Sequence, residues 1–268
     1  MPFRDSSKHL LRVYRAAIRS SIVREMEFRA NFVLGLIRQI GWLFIFILMI
    51  KTVFAHTSSL SGWNESEVLI ILALSRLIEG GLNMIVSRNI SEIPNNIQQG
   101  TFDFILLRPV PSQFGAAFRR VNIHQLGNLL AGIILLIYAL ARLSFTPSLL
   151  AILFFIIAAA SGIIIFYSLL IMVVSLAFWL ERFEGFWAFM YIFTEPLTVP
   201  FDIFPRYPRL ALTYLLPLAF VVFVPAQALT GRLNAAYLPV GIALSFIFLV
   251  LANLAWRAGL RRYSSASS

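Results

Sequence analysis

The chain reads as an all-α polytopic membrane protein, and three observations say so. Apolar runs are long: residues 41–50 are uninterrupted, and so are most of 149–180 and 239–251. Hydrophobic residues make up 59% of the 268 positions and charged ones only 13%, a balance that ordinary soluble globules do not carry. Arginines gather at the ends of these runs that would share one side of a bilayer. A helix of about 20 apolar residues crosses a membrane. Helices also satisfy their own backbone hydrogen bonds where lipid offers none.

The totals bound the rest. Almost every residue belongs to a span or a short connection, so residues 1–268 are expected to form a single integral domain. The longest aqueous stretch, 87–120, is too short for a separate catalytic domain. With no cysteine, there is neither a disulfide framework nor a thiolate metal site. The net charge of +10 points to anionic lipid headgroups rather than nucleic acid. The N-terminus lacks a short apolar core with a small-residue cleavage site, so no cleavable signal peptide is expected.

The elements follow in order. In residues 1–31, Leu11, Tyr14, Ile18 and Ile22 recur every three to four positions, with Lys8, Arg12, Arg15 and Arg19 on another face. That pattern predicts an amphipathic helix lying on the inner membrane surface. Span one is expected at 32–54, with Arg38 and Gln39 near its inner end, where a long side chain can snorkel to the interface. Span two is expected at 68–86 and span three at 123–140. Span four begins near 149, but its apolar run to 180 would be about 48 Å long as a helix against a core of about 30 Å. It must tilt, break or project. Residues 186–201 form a short fifth span with Glu195, Pro196 and Pro200 near its outer end. A polar outer loop carries Asp202 beside Arg206. Residues 211–229 are apolar but contain Pro217 and Pro225. A last span covers 239–256, followed by Arg257, Arg261 and Arg262.

Two topologies compete. If 211–229 dips into the outer leaflet and returns, six spans leave both termini inside, and 202–232 is an outer loop with a re-entrant segment. If it crosses, there are seven spans and the C-terminus lies outside. Of the 22 Lys and Arg, the six-span arrangement places 15 inside and five outside (Lys51, Arg142, Arg206, Arg209 and Arg232), with Arg38 and Arg76 in spans. The seven-span arrangement leaves 13 against seven. The positive-inside bias favours six spans, and so do the paired prolines, because broken helix is tolerated where protein surrounds it.

Familiar catalytic parts are missing. The sequence has no G-x-x-x-x-G-K-[ST] loop for ATP phosphates, no H-E-x-x-H and no G-x-S-x-G. His9, His56 and His124 are scattered. Charges inside spans are few. Arg76 and Glu79 lie three apart and can pair along one helix face; together with Glu195 they are the candidates for lining or gating a substrate path. Ala158 and Gly162 form a small-x-x-x-small pair suited to close helix approach.

The inner loop carries the most information. Ile90, Ile93, Ile97 and Thr101 fall near helical spacing, Pro94 suggests a break or a helix start, and Gln98, Gln99 and Gly100 end the helix. The string that follows, Thr101-Phe102-Asp103-Phe104-Ile105-Leu106-Leu107-Arg108-Pro109-Val110, is too charged to span and too apolar for an idle loop. It belongs at the membrane face or in a groove of a partner.

From Gly100 to Pro109 this string resembles the G-x-x-D-x-x-L-L-R-P stretch of type-2 ATP-binding-cassette (ABC) permeases, in the branch where a six-span subunit works with a separate ATPase. The basic N-terminal helix, the inner loop after span two and the proline-broken outer region agree with that arrangement. The resemblance implies that Gly100, Asp103, Leu107, Arg108 and Pro109 belong to the region that couples to the ATPase. It also implies an exporter subunit of the cell (inner) membrane with both termini cytoplasmic, paired with a second copy or a homologous permease. The chain would need no cofactor itself, since ATP and Mg²⁺ would be bound by the partner. The phenylalanine-rich interior suits a lipid-like or amphiphilic cargo. The rival readings are an ion-coupled carrier and a membrane-embedded enzyme, each acting without an ATPase.

Overall fold

The computed structural model describes residues 29–143, 146–180, 183 and 185–263, with side chains from residue 33 onward. The amphipathic helix expected over 1–31 lies, up to residue 28, outside the described residues. So do Glu181, Arg182, Glu184 and the serine-rich tail from residue 264. The described chain is helical, and its β structure is limited to an isolated bridge between Leu60 and Trp63.

Helix α1 (Arg29–His56) touches the bundle along one row of side chains, with Gln39 and Ile50 buried in it. Helix α2 (Glu65–Leu82) starts at a capping box: the Asn64 side chain accepts from the Glu67 amide, and the Glu67 carboxylate accepts from the Asn64 amide. It continues through a π-helical turn (Asn83–Ser87) into short helices α3 (Arg88–Ser91) and α4 (Ile93–Gln98). Pro94 sits in the first turn of α4, where its missing N–H costs nothing. Gly100, at φ +70°, then stops the run. Two one-turn helices follow, α5 (Asp103–Leu106) and α6 (Ser112–Ala117), and lead to α7 (Leu126–Ala141).

Helix α8 (Leu149–Ser175) is capped by Ser148 and tightens to 3-10 geometry at Leu176–Phe178. The helix and this turn run unbroken for 30 residues, Leu149–Phe178. Helix α9 (Phe186–Thr194) is only nine residues long, followed by 3-10 turns at Glu195–Thr198 and Phe201–Ile203. The fifth span expected at 186–201 is therefore not a continuous helix, because Pro196 and Pro200 withhold the amides that would extend it. Short α10 (Arg206–Leu210) and its π-helical extension (Ala211–Leu215) meet Leu218–Leu229, which includes α11 (Phe223–Leu229), at a bend of 73°. Helix α12 (Tyr237–Arg262) ends the described chain. Among the described residues, five helices are long and apolar enough to cross a bilayer, or six if the bent pair counts as one span.

The ends of the bent pair decide between crossing and returning. Before it, Asp202 accepts from the Trp63 indole at 3.0 Å and from Arg209 at 3.1 Å. After it, Arg232 grips Glu67 through two bonds of 2.7 and 2.8 Å and lies over the Trp63 ring. Both ends meet at the same rim, around Trp63 at the start of α2, so the segment enters and leaves on one side. The chain reaches that rim from the far end of α8 through broken 183–203. Asp202 pairs with Arg209, seven residues on, rather than with nearer Arg206.

Two helix pairs make the body: α7 packs along α2, and α12 packs along α8. Without a hydrophobic drive between helices in lipid, fit decides association. A Cβ on Gly132 would lie 2.8 Å from Leu77 Cγ, and one on Gly162 would lie 2.3 Å from the Phe220 carbonyl oxygen. Gly162 of the small-x-x-x-small pair thus admits backbone of the re-entrant turn. That turn is deeply buried, with Leu218, Val221 and Val222 fully covered.

Candidate functional site

The end of the bundle opposite the Trp63 rim carries the loop segment. Gly100 reverses the chain, and the Phe102 amide donates to the Asn96 carbonyl at 3.0 Å. Phe102 is fully buried in a box of rings, 5.5 Å from Phe178, 6.1 Å from Trp256 and 5.3 Å from Tyr263, centroid to centroid. These rings come from the ends of α8 and α12. Gly259 lets them close, since a Cβ there would meet Phe178 at 2.4 Å. The Tyr263 hydroxyl donates to Asp103 at 3.0 Å, and the Trp256 indole donates to Ser112 at 3.1 Å. Burial, and then the Asp103 carboxylate, push the Tyr263 phenol up to about 12.

The same short helix presents a second face outward. Phe102 and Ile105 point into the bundle, whereas Phe104 is 69% and Leu107 80% exposed. Arg108 and Pro109 are exposed beside them. The segment is held from behind by buried Asn89, whose amide donates to the carbonyls of Ala117 and Arg120 and accepts from the Arg120 amide. Glu92 bridges Arg119 and Arg120.

Two polar cavities lie along α1, the first against Arg88 of α3 and residues 122–125, the second against α2, α7 and the α9 region. The first, of about 430 Å³, opens near the loop end and is lined by Gly35, Arg38, Gln39, Arg88, Asn122 and His124 among others. The second, of about 460 Å³, is lined by Arg38, Arg76, Glu79, Asn128 and Glu195, with Trp42 and Tyr191 at its edge. Arg38, Gln39 and Gln125 border both. Arg76 pairs with Glu79 at 3.1 Å and lies over the Phe46 ring. Gln39 donates to the His124 carbonyl at 3.0 Å, while its own carbonyl oxygen is buried without a partner, as is Nε of Arg76. A third cavity, of about 480 Å³, separates α2 from α8 and is almost wholly apolar.

Residues 40–267 match the family described as ABC-2 family transporter protein. The chain belongs to that family. Comparison with curated proteins and with solved structures gave no match. As an ABC-2 family member it is a transporter permease, a membrane transport component not itself catalytic.

The permease places the residues singled out from sequence in two groups. Of the loop residues, Gly100 makes the turn, Asp103 faces inward to Tyr263, and Leu107, Arg108 and Pro109 form free surface. Phe104 joins them there. Sequence reading did not single it out, although the 102/105 and 104/107 spacings divide this turn into two faces. Arg76, Glu79 and Glu195 do come together, around the second cavity. Glu195, expected near the outer end of the short fifth helix, directly follows its last residue, Thr194, and lines the second cavity beside Arg76 and Glu79. Arg38, read as a snorkelling residue, borders both polar cavities. Asn89 and the Phe102 ring box had no local signal.

Proposed function

We propose that this permease is the membrane subunit of an exporter of the cell membrane, with both termini cytoplasmic. It would be paired with a second copy or a homologous permease and driven by a separate ATPase that binds ATP and Mg²⁺. The observation that carries the reading is the two-faced segment Asp103–Leu106 with its continuation to Pro109. Its inner face is clamped by rings at the ends of two long helices, and its outer face offers Phe104 and Leu107 to a partner. Force applied to the outer face would move α8 and α12 as rigid bodies. Arg38, Arg76, Glu79 and Glu195 would line the path, since charged groups among spans are costly unless they serve a polar route. The cargo would be amphiphilic.

The test is co-purification with an ATPase encoded in an adjacent reading frame. Leu107→Asp and Arg108→Ala should reduce capture and ATPase stimulation by more than about tenfold, the loss of roughly 1.4 kcal/mol, while the permease keeps its melting temperature. Undiminished capture and stimulation by both variants would rule out this docking face. The meeting of Glu79 and Glu195 in one cavity favours a second reading, an ion-coupled carrier. That reading requires transport in liposomes driven by a proton gradient with no ATPase present.

A further inference from the structure

The two polar cavities differ in charge. The second is balanced: Arg38 and Arg76 face Glu79 and Glu195. The first has no acidic residue in its lining among the described residues, yet holds Arg38 and Arg88. Arg38 makes no hydrogen bond or ion pair among the described residues, and Arg88 bonds only the Asn122 amide oxygen, at a long 3.4 Å. Two guanidinium groups from different elements thus line one hollow together with the Gln39 and Asn122 side chains, with no acidic residue among its described lining. Gly35 also lines it, and a Cβ there would lie at ordinary contact, 3.7 Å from the His124 ring, so only a larger side chain would fill the hollow. Beside the mouth, Leu34 and Ile37 of α1 are 63% and 60% exposed to the surroundings of the bundle.

We infer that this first cavity is a recognition site for the anionic headgroup, phosphate or carboxylate, of an amphiphile whose apolar chain lies along the exposed side of α1. Two planar guanidinium groups suit such an anion, and both are exposed, so a ligand can reach them from the surroundings. Arg38 borders both cavities, so a headgroup held here already touches the charge-balanced cavity beyond. Naming this ligand as cargo rests on the permease reading above; its binding does not.

The experiment therefore omits any ATPase. The full chain, purified in a neutral maltoside detergent, is titrated with labelled dodecyl phosphate, and separately with dodecyltrimethylammonium and with inorganic phosphate as competitor. Dodecyl phosphate should bind saturably, and Arg38→Gln and Arg88→Gln should each weaken it about tenfold, as expected for one charged hydrogen-bonding partner. Gly35→Leu should block it, and Arg142→Gln, at the other end of the bundle, should leave it unchanged. Arg38→Lys, which keeps the charge but loses the planar fork, should fall between parent and Gln and covers the case in which Arg38→Gln fails to fold. Equal binding of the cationic detergent, or parent-like binding by both Gln variants, would overturn the site. Displacement by inorganic phosphate at the same concentration as dodecyl phosphate would overturn the amphiphile. Loss of ATPase docking in the Leu107→Asp test would leave these results untouched, so the two readings fail separately.

Discussion

Helices α1 and α2 are both apolar and of spanning length, yet they do opposite work. Of the most apolar stretch of α2 and its continuation, 61% is buried; of α1, 6%. Helix α2 is the post around which α7, the re-entrant turn and the rim assemble. Helix α1 touches them along one row and turns its other sides outward. In lipid the two are equally comfortable, because the bilayer solvates leucine as well as a neighbouring helix does. Helices in such a protein are therefore held where small residues and polar groups let them fit, and α1 has few of either. Both polar cavities form at Gln39, on its inner row, and exposed Arg38 beside it.

Glycines break that comparison most severely. On α8, Gly162 meets the backbone of Phe220 and Val221, and backbone in a buried turn cannot swing aside. Gly162→Leu should abolish recovery of monodisperse protein. On α1, Gly41 has nothing within 4 Å of an added Cβ, so Gly41→Leu should raise stability slightly, by under about 1 kcal/mol, through helix propensity alone. Size-exclusion profiles and melting curves of the two variants check both outcomes. A well-folded Gly162→Leu would mean that the turn does not seat against α8.

The loop end sharpens the same contrast within a single turn of helix. Phe102→Ala removes a buried ring from the box and should cost about 4 kcal/mol. It should also uncouple the ends of α8 and α12. Phe104→Ala, two residues on, deletes a ring of similar size from the exposed face and should leave the melting temperature within a degree or two. Thermal unfolding in detergent distinguishes them, and equal destabilisation would show that the segment has no free face.

The rim comes next in size. Glu67 is buried, while Arg232, its partner, is 38% exposed. Arg232→Ala leaves a covered carboxylate whose Asn64 bond remains. Water reaching the vacated side should hold the cost to about 2 kcal/mol, below that of a fully buried pair. The deficit should appear in unfolding, and it should be relieved in Glu67→Gln/Arg232→Ala, because the double variant strands no charge.

What was legible beforehand follows the range of each signal. The runs at 32–54, 68–86, 123–140 and 239–256 were visible because spanning demands local composition. The stop at Gly100 was visible because it is a property of one residue. The rim was not: Trp63 finds Asp202 across 139 positions and Glu67 finds Arg232 across 165, and no periodicity encodes such pairs. The break in 186–201 was half legible. Pro196 and Pro200 stood in the string, yet apolar composition outvoted them. Burial was not readable either, since in this solvent a buried leucine and a lipid-facing one are spelled alike.

The smallest effect tests the tie between α12 and the loop. Tyr263 donates to Asp103, and its phenol holds its proton up to about 12 instead of the ordinary 10. The folded chain thus binds that proton more tightly than the unfolded one. The stabilisation is whole below pH 10 and is lost as pH rises toward 12. Tyr263 is only half-buried, so solvent screening keeps the contribution modest, under about 1 kcal/mol for one hydrogen bond. Tyr263→Phe should melt slightly below the parent at pH 8, and the gap should close as pH climbs through 11. An ultraviolet difference titration between the two proteins should show one phenol ionising late. If that phenol instead ionises near 10, the α12 terminus is not fastened to Asp103, and the loop segment is held by its ring box alone.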